Sequence, residues 1–185
     1  MKLNKLQKKI GISFKDDKLL IQALTHKSFD TKNNYEKLEF LGDRVLGFVI
    51  SKKLLELYPN EKVGMIDKKL ANLVNKNKCF EIGKELELDN YILTGNTEKK
   101  KKVNIEKKII SDCCESLIGA IYIDKGFEVS SKFILNYWKN YLNLSDITVI
   151  DSKTRLQEYS LKKFKALPIY KLISNTGPRH KPNFK

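Results

Sequence analysis

Five carboxylates at two spacings are the residues of this chain best placed to do chemistry. Glu36, Glu39 and Asp43 stand in one proline-free run from Asn34 to Tyr58, rich in good helix formers, which predicts a long helix. At 100° per residue the three acids fall within roughly 60° of one another on one face. Leu41, Val45, Phe48 and Val49 gather on the opposite side as the expected core stripe. Asp112 and Glu115 form an i, i+3 pair in a second predicted helix, Ser111 to Asp124. The other face of that helix is broad and apolar: Ile110, Cys113, Cys114, Leu117, Ile118 and Ile121. Clustered acids repel, and either a solvated surface or a bound cation relieves the repulsion. Spacing alone leaves both readings open. Gly42 lies beside the first acids and Gly119 on the side of the second pair. Glycine inside a helix costs about 1 kcal/mol relative to alanine, so the two placements predict a close helix crossing. Such a crossing brings Glu39, Asp43, Asp112 and Glu115 to one point, an all-oxygen set suited to Mg²⁺ or Mn²⁺.

Other elements must hold that crossing. Two short helices are predicted ahead of it, one carrying Leu3, Leu6 and Ile10, the other Leu19, Leu20, Ala23 and Leu24. His26 follows the second, and a lone histidine at a helix end reads as a capping or packing residue. Pro59-Asn60 ends the long helix. Met65, Ile66, Leu70, Leu73 and Val74 keep helical spacing, and after Lys78 a shorter segment runs through Ile82 and Leu86 to Asp89-Asn90. Lys68, Lys69, Lys76 and Lys78 in this region are either solvated helix faces or phosphate contacts. Residues 94–104, with Gly95-Asn96-Thr97 and the run Lys99–Lys102, predict an exposed basic loop. Gly126 is the expected cap of the second acidic helix. Phe127, Phe133, Ile134, Tyr137, Trp138 and Tyr141 then describe one more amphipathic helix whose aromatics read as core.

Three stretches resemble the ribonuclease III family in its own order. Leu24-Thr25-His26-Lys27-Ser28-Phe29 is similar to the family's N-terminal motif, and Tyr35-Glu36-Lys37-Leu38-Glu39-Phe40-Leu41-Gly42-Asp43 resembles its signature. The run from Asp112 to Asp124 resembles its second acidic helix. The resemblance implies metal-dependent endonucleolytic hydrolysis of double-stranded RNA, leaving 5′-phosphates and 3′-hydroxyls, in rRNA and mRNA processing. It implies Glu39, Asp43, Asp112 and Glu115 as ligands of Mg²⁺ (Mn²⁺ substituting), with Asp43 and Glu115 catalytic and Glu36 in support. It further implies a homodimer cutting opposite strands, with Phe40 inserted into the partner subunit. Arg44 stands where the family often has a small residue, and helical spacing aims it away from the acids. A catalytically silent dsRNA-binding or ribosome-associated relative is the alternative. Such proteins keep the fold and lose acids, whereas all four acids are present here.

Composition agrees with a polyanionic partner. The formal net charge is +14 in 185 residues, which favours nucleic acid over membrane. Lysine outnumbers arginine 33 to 3, a bias that an A/T-rich genome also produces, so the location of charge carries more than its total. Residues 151–185 hold nine basic and two acidic side chains, half of the net charge. The three cysteines, none in a Cys-x-x-Cys pattern, argue against a zinc site or a disulfide scaffold. With no secretory leader and no apolar run of spanning length, a soluble cytoplasmic protein without membrane contact is expected.

The expected fold class is mainly α: an all-α endonuclease domain over residues 1–145, then a partial α/β double-stranded-RNA-binding domain over residues 151–185. In the second part Lys153–Tyr159 reads as a helix, Pro168–Ile173 as a strand and Thr176–His180 as a turn. That order resembles the first helix, first strand and start of the second strand of the RNA-binding fold. The resemblance implies minor-groove contacts by Gln157, Glu158, Pro178 and His180. The chain stops at Lys185, inside the expected second strand, which predicts a truncated module with weakened RNA affinity.

Overall fold

The computed structural model describes residues 2–95, 106–143, 152–171, 174–176 and 183–184. The chain divides into two compact units, Met1–Asp146 and Ile147–Lys185. The first is built from α1 (Lys2–Ile10), α2 (Asp17–Ala23), α3 (Glu36–Leu57), α4 (Val63–Leu73), α5 (Lys76–Glu85), a 3₁₀ turn (Leu88–Asn90) and α6 (Lys107–Asn143). No helix among the described residues is long and apolar enough to cross a membrane.

Helix α6 is the axis of this unit, with α2, α3, α4 and α5 packed against it. Every residue from Ile109 to Ile121 is buried, so the helix is enclosed on all sides rather than along one stripe. Cys113 and Cys114 are fully buried free thiols, small apolar fillers as expected. Gly126 interrupts the run at φ 80°, ψ −177°, a left-handed turn that glycine adopts without a Cβ clash. The helix resumes after it, burying Phe133, Ile134 and Trp138. The Trp138 indole N–H donates to the Leu73 carbonyl at 2.8 Å and ties α4 to the axis.

Helix α3 turns a different arc inward from the one its pattern predicts. Leu38, Gly42, Val45, Leu46, Val49, Ile50 and Leu54 are buried, an arc centred on Gly42 at 100° per residue. Val45 and Val49 belong to it, but Leu41 is half-buried and Phe48 is 62% exposed. The stripe is rotated toward the acids because the partner helix lies at Gly42, not opposite it.

The start of α3 is set by Asn34. Its Oδ1 accepts the Glu36 N–H at 3.0 Å while its amide donates to the Asp30 and Thr31 carbonyls. Backbone pairing of His26 N with Leu93 O (2.9 Å) and Leu93 N with Leu24 O (2.8 Å) closes this side of the unit. His26 sits against the Tyr35 ring and pairs with the Ser28 hydroxyl at 2.7 Å, a packing role.

The second unit contains α7 (Ser152–Phe164) and a short antiparallel pair, β1 (Asn175–Thr176) with β2 (Asn183–Phe184). Ser160 Oγ donates to the Ala166 carbonyl at 2.7 Å and ties down the end of α7. The strand expected over Pro168–Ile173 is not formed across its described residues, 168–171. Ile169 is 90% exposed there. An apolar, β-branched stretch becomes a strand only against a partner strand and a covered face. Residues 172–173, most of the turn at Thr176–His180, and the basic run Lys99–Lys102 lie outside the described residues.

Candidate metal centre

The crossing of α3 and α6 is as close as two backbones permit. A Cβ at Gly42 would fall on the Glu115 carbonyl and 2.9 Å from the Gly119 N. A Cβ at Gly119 would fall on the Leu38 carbonyl and 3.2 Å from the Gly42 N. Each helix thus meets the other through a glycine, and the acids beside those glycines meet as well. One carboxylate oxygen from each of Glu39, Asp112 and Glu115 lies within 4.8 Å of the others. Asp112 and Glu115 are buried, at 3% and 2% exposure, and Glu39 is half-buried.

Three of the four expected carboxylates therefore share one point. Asp43 lies on the wall of the adjoining cleft, where Arg44 Nη1 donates to its Oδ2. This corrects the expectation that Arg44 points away from the acids. The guanidinium folds back along the helix, 5.1 Å from the Phe40 ring centroid, and reaches the neighbouring residue. Glu36 lines the same cleft and pairs with Lys27 at 3.3 Å.

The cleft encloses about 570 Å³ between Glu36, Glu39, Phe40, Asp43, Val74, Asn75, Lys76 and Glu115. A smaller cavity of about 180 Å³ approaches Glu39 and Asp112 from the side of His26, Tyr35 and Lys108. The acidic cluster is thus buried at its base yet reachable from solvent.

Lys76 enters the cluster unannounced by its spacing. Its Nζ donates to Asp112 Oδ1 at 2.7 Å, Glu115 Oε2 at 2.8 Å and Glu39 Oε1 at 3.0 Å. It is brought there by Asn75, which caps α5: the Asn75 Oδ1 accepts the Asn77 and Lys78 N–H groups at 3.0 and 3.1 Å. The cap starts the helix at Lys76, earlier than hydrophobic periodicity suggests. An asparagine directly ahead of a helical run is the signal that could have found it. The neighbouring lysines are engaged as well. Lys69 is buried with its ammonium over the Tyr58 ring, and Lys78 lies between Glu81 and the Tyr141 ring.

Burial raises the carboxyl pKa of both Glu39 and Glu115, and the hydrogen bonds from Lys76 only partly offset it. For Lys76 the order is reversed. Burial disfavours its charge, and hydrogen bonds to Asp112, Glu115 and Glu39 outweigh that and raise its pKa. Buried carboxylates that are under-neutralised form a site that gains from a hard cation. An all-oxygen donor set is of the kind that hard divalent cations take.

Two of the four RNA-contact candidates lie among the described residues. Gln157 is half-buried and Glu158 exposed on α7, while Pro178 and His180 lie outside the described residues.

Comparison with known proteins agrees with the arrangement. The family model described as Ribonuclease-III-like matches residues 16–142. A protein of Pelagibacter ubique named Ribonuclease 3 is 64% identical over all of this chain and 84% of its own length. One of the same name from Agrobacterium fabrum is 40% identical, over 98% of this chain and 77% of its own length. Among solved structures, the nuclease domain of ribonuclease III from Campylobacter jejuni superposes with a TM-score of 0.71 at 37% identity. That match covers 75% of this chain and 97% of the other. The matched span contains the glycine crossing and all the carboxylates gathered around it, and the chain belongs to the ribonuclease III family of endoribonucleases.

Proposed function

We propose that the chain hydrolyses phosphodiester bonds of double-stranded RNA in a Mg²⁺-dependent reaction, Mn²⁺ substituting, leaving 5′-phosphate and 3′-hydroxyl ends. The observation that carries this reading is the convergence of Glu39, Asp112 and Glu115 within 4.8 Å at the base of an open cleft. These three residues, with Asp43 from the cleft wall, are the proposed ligands. A divalent cation held there supplies Lewis-acid stabilisation of the charge that builds on the phosphodiester and its leaving oxygen. Glu36, at the rim and paired with Lys27, orients what enters the cleft. The rigid glycine crossing keeps the carboxylates of two helices in fixed register, so little reorganisation accompanies the reaction.

The retention of all four acids favours this reading over a silent RNA-binding relative. Long double-stranded RNA incubated with the purified chain is expected to be cut with Mg²⁺ and to stay intact with EDTA, with end-group analysis finding 5′-phosphates. Intact RNA under both conditions would favour the binding-only relative.

Residues 151–185 we read as a partial double-stranded-RNA-binding domain following a nuclease domain of residues 1–145. Its basic side chains supply phosphate contacts whose strength falls with salt.

The active form in this reading is a homodimer, each protomer cutting one strand. The Campylobacter jejuni nuclease domain has a structurally flexible region involved in dimer formation, and the corresponding assembly is proposed for this chain. Phe40 is 66% exposed in the single chain, an orientation that leaves its ring available to a partner. Phe40→Ala is expected to leave the melting temperature of the monomer nearly unchanged. Two such rings buried per dimer, at about 1.5 kcal/mol or more each, correspond to a dissociation constant raised by roughly a hundredfold. Analytical ultracentrifugation reads this directly, and an unchanged dimer would return Phe40 to the ordinary surface.

A further inference from the structure

We propose that Lys76 is a tethered competitor for the cation at this site: its ammonium and a divalent ion take the same carboxylate oxygens, so metal loading requires Lys76 to swing out. The inference rests on the metal-dependent reading above.

The geometry carries it. One ammonium reaches Glu39 Oε1, Asp112 Oδ1 and Glu115 Oε2 at 3.0, 2.7 and 2.8 Å, and so stands among the three carboxylates that lie within 4.8 Å of each other. An ammonium ion donates all three of its hydrogens in such a position, and a metal ion needs the lone pairs that accept them. Both cannot be satisfied at once.

The side chain can leave. It is 52% exposed along its length, while the Asp112 and Glu115 side chains are 4% and 3% exposed. Lys76 lines the open cleft, so a rotation of its stem carries the ammonium to solvent with the backbone held by the Asn75 cap. Two states of one side chain thus bracket the site. In one, two buried carboxylates keep a partner without metal. In the other, the oxygens are free for the ion.

Apparent metal affinity is then the intrinsic affinity multiplied by the fraction of molecules with Lys76 swung out. A side chain closed about nine-tenths of the time lowers it about tenfold. Removing the ammonium should return that factor.

The test is a Mn²⁺ titration of the full chain, read by the electron paramagnetic resonance signal of free Mn²⁺. Lys76→Met is expected to bind about tenfold more tightly than the native chain, and Lys76→Arg to bind like it. Lys78→Met removes the same charge two residues along α5, from an ammonium engaged with Glu81 and the Tyr141 ring, and is expected to leave affinity unchanged. Melting in EDTA supplies a second reading: Lys76→Met should melt lower than native without metal, and the gap should close with saturating Mn²⁺. If the Met variant fails to fold, Lys76→Gln takes its place in the titration.

Equal or weaker Mn²⁺ binding by the neutral variant overturns the proposal. So does an equal gain in Lys78→Met, which would reduce the effect to general charge. Loss of Mn²⁺ binding in every variant and in the native chain overturns the metal-dependent reading itself, and is told apart by that uniformity.

Discussion

Glu115→Gln is expected to lower double-stranded RNA cleavage by at least about a thousandfold while leaving the fold and RNA binding in place. Glutamine keeps the shape of the side chain and one acceptor oxygen but removes its charge. Glu115 is the more buried of the two site acids that α6 supplies and sits where the helices cross. Metal-ion stabilisation of a phosphoryl-type charge contributes several kcal/mol, and each 1.4 kcal/mol or so is a factor of ten in rate. Single-turnover cleavage with saturating Mg²⁺ measures the loss, and filter binding in Ca²⁺ measures the retained affinity. Turnover at the native rate would remove Glu115 from the site.

The stability of this variant moves the other way from its activity. The Glu115 carboxyl pKa is raised, first by burial and then by the Asp43 charge, against the lowering effect of Lys76. A carboxyl whose folded pKa is raised binds more protons in the folded than in the unfolded chain. Stability therefore falls as pH rises from the ordinary carboxylate range to the raised value, and the full penalty is present above it. Glutamine carries no such penalty. In EDTA near neutral pH, Glu115→Gln should melt no lower than the native chain. The difference should vanish below the ordinary carboxylate range, where Glu115 is protonated in both states.

What is legible in the sequence follows from helical period. Glu39, Asp43, Asp112, Glu115, Gly42 and Gly119 lie on two long uninterrupted runs, where 100° per residue assigns faces reliably and paired glycines announce a crossing. Period alone does not say which side of a helix its partner occupies. Hence it assigns Phe48 to the core although the buried arc is centred on Gly42. It also fails between neighbours in sequence. Arg44 and Asp43 stand about 100° apart on the helix, and only a long side chain folding back along the surface joins them. Lys76 is out of reach for a third reason. Its position depends on where α5 begins, which is set by the side chain of Asn75 rather than by any apolar repeat. In the second unit, the exposed Ile169 shows that an apolar β-branched stretch stays coil where no described strand lies alongside it.

Gly42→Ala is expected to destabilise the chain by at least about 3 kcal/mol, the upper end of overpacking costs, because the collision is with backbone and not with a side chain that can rotate. The new methyl would overlap the Glu115 carbonyl oxygen, with the Gly119 nitrogen 2.9 Å away. No rotamer relieves this, so α3 and α6 must move apart. Gly47→Ala, one and a half turns along the same helix, provides the contrast. Among the described residues nothing lies within 4 Å of its added Cβ, so the substitution should stabilise the helix by about 0.5–1 kcal/mol through propensity alone. Urea unfolding of both variants reads opposite signs from one chemical change in one helix. The separation of α3 from α6 also reaches the site. Glu39 comes from α3, Asp112 and Glu115 from α6, and the three oxygens now fit within 4.8 Å. A displacement of about 1 Å between reacting groups lowers rates by about a hundredfold. Gly42→Ala molecules that remain folded should therefore cut at least that much more slowly and bind Mn²⁺ more weakly. Native cleavage and native stability in Gly42→Ala would mean that the two backbones do not meet there, and the carboxylate cluster would lose the crossing that assembles it.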